Sequence, residues 1–154
     1  HLALEVAPQV GGYKFTKVLM DGGSSINILN YETFRRMGLT DKSLKQSNTV
    51  FHGVVPGKLA YPVGKIELEV AFGDEYDSRA EKLTFEVVKI KSPYRALFGR
   101  SAYAKFIARA CYVYLQLKMS GYKCTIIVHG SRKIALNVKR VMPLMLSLFV
   151  RQRS

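Results

Sequence analysis

Few groups in this chain can do acid–base, nucleophilic or metal chemistry. Among its 154 residues are four aspartates, three histidines and two cysteines. Asp41, Asp74 and Asp77 lie in polar, turn-like stretches, where a solvated surface position is expected. Asp21 alone is embedded in apolar sequence, within VLMDGGSSINIL from Val18 to Leu29. A carboxylate between buried strands costs free energy unless it is hydrogen-bonded or does chemistry. Gly22 and Gly23 let the backbone turn sharply and leave room for something to come close. The same Asp-Gly pair between hydrophobic runs is also the signal of an ordinary hairpin turn. The local residues leave both readings open.

Competing chemistries lack their motifs. His1, His52 and His129 have no serine in a Gly-x-Ser-x-Gly elbow to activate. Cys111, Cys124 and His129 are not spaced as a zinc ribbon or finger, so no metal is expected. The DGGSS turn has no lysine for a phosphate loop and leads into strand-like residues. One carboxylate cannot be both acid and base in amide hydrolysis. Two copies about a two-fold axis could supply both, if Asp21 met its mate there. Like charges about 3 Å apart cannot both ionise, so such a pair shares one proton.

The elements that would position Asp21 read as short strands. Leu2–Val6 alternates; Tyr13–Met20 runs straight into Asp21; Ile26–Leu29 leaves the turn. Tyr31–Met37 suits a short helix ended by Gly38. A strand is expected within Ser43–Phe51, then a Val55-Pro56-Gly57 turn. Ile66, Leu68 and Val70 alternate with Glu67 and Glu69, and Leu83–Ile90 is rich in β-branched residues. Ala96-Leu97-Phe98 is a short apolar run before Gly99, and Ser101–Ala108 suits a second helix. Tyr112–Met119 and Lys123–His129 read as the last strands. Strands at this spacing, punctuated by Gly and Pro, argue for a small barrel or sandwich. The cysteines sit in apolar surroundings, as reduced core thiols do. Residues 131–154, basic and then apolar with Pro143 inside, show no period that assigns them an element.

Composition is that of a globular domain, 48% hydrophobic and 23% charged. No apolar run reaches membrane-spanning length. The chain opens on His1 without a secretory pattern, as a piece of a longer chain would. The net charge of +13 is lopsided: residues 87–154 hold fourteen Lys/Arg and no acid. Such a half could bind nucleic acid, or be a solvated basic surface with no partner.

VLMDGGSSINIL, the strand-rich middle and SPYRALFGRSAY together resemble the retropepsin-like protease segment of plant gypsy-type retrotransposon polyproteins. The resemblance runs from about Leu2 to Ser131. It implies a mainly β, retropepsin-like (acid protease) closed β-barrel with one or two short helices over residues 1–130, and a tail over 131–154. It implies that Asp21 is the catalytic carboxylate, in a loop with Gly22, Gly23 and Ser24. Leu97, Phe98, Gly99 and Arg100 would pack beneath that loop. Val54, Val55, Pro56 and Gly57 would tip a flap that closes over an extended peptide. The implied activity is aspartic endopeptidase cleavage of a Gag-Pol polyprotein by a homodimer, without cofactor, at an intracellular or particle-associated site. Two features depart from the family: Gly22 replaces its usual Ser/Thr, and Ser25 stands where an acid would pair with Arg100. An inactive relic or dimerisation module, and a basic nucleic-acid-binding segment, are the alternatives.

Overall fold

The computed structural model describes residues 3–52, 59–131 and 149–152. In chain order the elements are β1 (Leu4–Val6), β2 (Gln9–Val10), β3 (Tyr13–Lys14), β4 (Val18–Met20), β5 (Asn27–Asn30), α1 (Tyr31–Arg36), β6 (Thr49–His52), β7 (Leu59–Ala60), β8 (Gly64–Gly73), β9 (Ser78–Val88), β10 (Ala96–Phe98), α2 (Arg100–Phe106), β11 (Arg109–Cys111), β12 (Gln116–Ser120), β13 (Thr125–His129) and β14 (Phe149–Gln152). Eight strands form one curled, half-barrel sheet in the order β1-β4-β10-β5-β9-β8-β2-β3. Two three-stranded sheets, β11-β12-β13 and β14-β6-β7, accompany it. The mainly β expectation with one or two short helices holds.

The core forms where the apolar faces of these strands meet. Phe72, Phe85, Phe98 and Phe106 are buried together. Phe72 meets Phe106 edge-on at 5.1 Å between centroids, and Phe85 meets Phe98 at 5.5 Å. The long β8–β9 hairpin pairs in unbroken register from Gly64 opposite Val87 to Gly73 opposite Ser78. Its outer face carries Glu67 and Glu69, exposed as their alternation predicts. Helix α1 starts where Asn30 Oδ1 accepts the Glu32 N–H at 3.1 Å, and the chain turns away after its Met37 cap at Gly38, whose φ of +79° suits glycine.

Several expectations need correction. Tyr13–Met20 is two strands, not one: Lys17 turns the chain at φ +55° and Phe15 drops into the core. Residues 112–115 are a turn with Leu115 at φ +50°, so the expected last strands begin later, at Gln116 and Thr125. That turn has no Gly or Pro to betray it. Strand β9 begins at Ser78, before the β-branched run, because the antiparallel partner β8 carries it out to the turn. Helix α2 stops at Phe106, with Ile107 left-handed after it. The cysteines are free but not core thiols: Cys111 is half-buried and Cys124 exposed. Phe149–Gln152, in the stretch given no element, pairs antiparallel with β6, Gln152 opposite Thr49. The expected flap tip, Val54, Val55, Pro56 and Gly57, lies outside the described residues. No helix among the described residues is long and apolar enough to cross a membrane.

Candidate active site

The turn at Asp21 does not close a hairpin. Strands β4 and β5 flank it in sequence, yet β10 lies between them. It pairs parallel with β4, Phe98 opposite Met20, and antiparallel with β5, Leu97 opposite Ile28. The ordinary-hairpin reading of Asp21-Gly22 is therefore set aside. Three short strands, all buried, deliver the turn at Asp21 and the turn at Gly99 side by side.

Hydrogen bonds stitch the two turns together. The Asp21 N–H donates to Phe98 O at 2.8 Å, and the Arg100 N–H donates to Ser24 O at 2.7 Å. The Gly23 N–H donates to Asp21 Oδ1 at 2.8 Å. Ser24 Oγ donates to Ile26 O at 2.9 Å, folding the loop on itself. Gly99 has no room for a side chain: a Cβ there would collide with the carbonyl oxygens of Ile26 and Ser24. Arg100 reaches across the loop, its Nη1 3.5 Å from Gly22 O, which places a cation beside the aspartate without an acid at Ser25.

Asp21 is fully buried. Burial pushes its carboxyl above the usual carboxylate range; the Gly23 N–H and the Arg100 guanidinium oppose this without cancelling it. An acid in such a place holds its proton at higher pH than a surface carboxylate, as a group that donates to a carbonyl oxygen must.

Two residues of the site escaped the sequence reading. Asn27 is buried; its Oδ1 accepts the Gly99 N–H at 2.9 Å and its Nδ2 donates to Thr84 O at 3.1 Å. An amide inside the apolar run Ile26–Leu29 was the available signal, since buried polar groups find partners. Tyr103 of α2 is the other. Its ring stands 3.9 Å from where a Cβ on Gly22 would sit, and its hydroxyl is buried. Burial first, then the Tyr112 hydroxyl and the charge of Asp21, push its ionisation far above the ordinary range. Tyr103 closes the SPYRALFGRSAY stretch, but nothing in the sequence tells which loop its ring will face.

Other sequence candidates fall elsewhere. Asp41 accepts the Tyr31 hydroxyl at 2.8 Å, and Asp74 caps its own turn through the Tyr76 and Asp77 N–H groups. Asp77, expected in solvent, is buried instead. Its carboxylate accepts the N–H groups of Tyr122, Lys123 and Cys124 at 2.9–3.0 Å. Among the described residues no three His, Cys, Asp or Glu gather as a metal cluster. A groove of about 650 Å³ lies away from Asp21, walled by Gln9, Phe72, Tyr76 and Val128.

The architecture is that of the retropepsin fold. No protein-family model matches the chain, and no curated protein matches it in sequence. Among solved structures it is similar to the retroviral protease-like domain of Ddi1 from Leishmania major. That match has a TM-score of 0.61 and 14% identity, covering 86% of this chain and 96% of that one. A retropepsin-like aspartic protease from Rickettsia conorii aligns with a TM-score of 0.49 and 18% identity, over 82% of this chain and 81% of that one. At 14% identity the likeness to the Ddi1 domain is one of fold.

Proposed function

We propose that the chain is an aspartic endopeptidase, active as a homodimer whose two copies of Asp21 form the catalytic pair. The observation that carries this reading is Asp21 itself: a buried carboxyl on a Gly-Gly turn, pinned to β10 by its own N–H and gripped by the Gly23 N–H. Brought to a two-fold axis, the two carboxyls share one proton. The ionised member takes a proton from water, and the resulting nucleophile attacks the scissile carbonyl. The protonated member donates to the carbonyl oxygen as it gains charge. Burial of Asp21 favours the singly protonated pair at mildly acid pH.

The substrate is an extended peptide, and the Gag-Pol polyprotein of a plant gypsy-type element is the source that the two motifs suggest. Residues Val54, Val55, Pro56 and Gly57 serve as the flap in this reading, excluding water and pairing with the peptide as a strand. The site of action is intracellular or within the particle.

Incubation of the purified protein with a matched polyprotein at mildly acid pH tests the proposal. Asp21→Asn is expected to lower the cleavage rate by about 10²- to 10⁴-fold or more, and a statine-type inhibitor to abolish cleavage. Cleavage that persists unchanged in the Asn variant ends it. Gly22 favours a second reading, a dimerisation module without catalysis, because it lacks the hydroxyl that the family uses to brace the loops. Any turnover that depends on Asp21 removes that reading.

A further inference from the structure

The small sheet β11-β12-β13 has two unlike faces. Leu117, Met119 and Ile126 are buried against the core. The opposite face carries Arg109, Lys118 and Ile127 in one cross-strand row, all exposed. Arg109 stands directly opposite Lys118 in register. Like charges so placed repel, and neither makes a salt bridge to an acid among the described residues. No acid occurs in the sequence from residue 87 onward to relieve them. The turns at the two ends of β12 each project a tyrosine: Tyr114 is 71% and Tyr122 94% exposed. Lys123, beside Tyr122, holds its ammonium 4.5 Å above the ring of Tyr76.

Rings this exposed bury little apolar surface in the monomer, and paired cations are unfavourable there. Both become favourable against one kind of partner. A single-stranded nucleic acid offers phosphates to the cations and flat bases to the rings. An acidic peptide would use the cations and leave the tyrosines idle. A second copy of this face would bring cations against cations.

We propose that the outer face of β11-β12-β13 is a binding platform for single-stranded nucleic acid. Arg109, Lys118 and Lys123 neutralise phosphates, and Tyr114 and Tyr122 stack on bases at the two ends of the sheet. The proposal stands on this surface alone and is independent of any activity at Asp21.

The test is a fluorescence-anisotropy titration of the full chain with a labelled oligouridylate of about 12 nucleotides, a length that spans one small platform. Binding is expected to weaken with salt, with a log–log slope of about −2 from three neutralised phosphates. Arg109→Ser with Lys118→Ser should weaken binding by at least about tenfold and reduce the slope by about 1.4. Tyr114→Ser with Tyr122→Ser should weaken oligouridylate binding by about tenfold or more while leaving the salt slope unchanged. Circular dichroism of each variant confirms that the fold is kept, which surface positions allow. Absence of binding overturns the proposal. So does binding that the Arg109/Lys118 variant retains in full, which would assign it to cations elsewhere in the chain. Polyglutamate competing as well as oligouridylate, with the tyrosine variant unaffected, would also overturn it and indicate an acidic protein partner.

Discussion

Asp21 is held in a place that favours its neutral form, and this has a thermodynamic sign. Its folded-state affinity for a proton exceeds that of the unfolded chain. Such a group stabilises the fold below the ordinary carboxylate range, and that contribution is lost as pH rises through the elevated value. Asn keeps the acceptor for the Gly23 N–H and removes the buried charge. Asp21→Asn is therefore expected to melt higher than the unaltered protein at neutral pH, with the difference vanishing in acid; thermal melts across that range check it. Gly99 shows the opposite kind of constraint, one of space. The atoms a Cβ would strike are backbone carbonyls of the neighbouring loop, which cannot swing aside. Gly99→Ala is expected to cost about 1–3 kcal/mol or more, measurable by denaturant unfolding. It should also lower activity, because the displaced loop carries Asp21.

Among the elements, the short strands around the site were legible and the joints between them less so. The apolar runs at Val18–Met20, Ile28–Leu29 and Ala96–Phe98 announced themselves because each is buried on both faces, with Gly22-Gly23 and Gly99 marking the turns nearby. What the pattern of one run cannot contain is its neighbour, so the insertion of β10 between β4 and β5 came only from the coordinates. The breaks at Lys17 and Leu115 were hidden for a related reason: non-glycine residues take positive φ there under tertiary compulsion. Asp77 was misplaced because a turn sequence looks solvated until another hairpin docks on it. Its carboxylate ties the β12–β13 turn to the β8–β9 turn through three N–H groups, at a spot where Gly121 leaves no room for a side chain. The N–H groups of Cys124 and Lys123, then that of Tyr122, hold this carboxyl below its usual range. The sign is the reverse of that at Asp21: the stabilisation is present above the ordinary carboxylate range and is lost as pH falls through the lowered value. Asp77→Ala should lower the melting temperature at neutral pH, and the gap should close progressively in acid.

For the whole molecule, the decisive quantity is how many copies act together. The described groove of about 650 Å³ touches neither the Asp21 loop nor β10, and a cleft shared by two copies need not be enclosed by one. If the active species is the homodimer, cleavage per unit protein should rise with concentration and level off once the dimer is saturated. Rates measured across dilution, alongside sedimentation, would show this; a specific activity independent of concentration at monomeric dilution would contradict it. The assembly of each copy has its own order, set by β10. A nascent chain that has emerged only as far as β9 possesses β4 and β5 but has nothing to lay between them, so the Asp21 turn lacks its Phe98 anchor. Translation from the amino end thus leaves the Asp21 turn without its anchor until β10 itself has been synthesised, so one three-residue strand decides when that turn is finished.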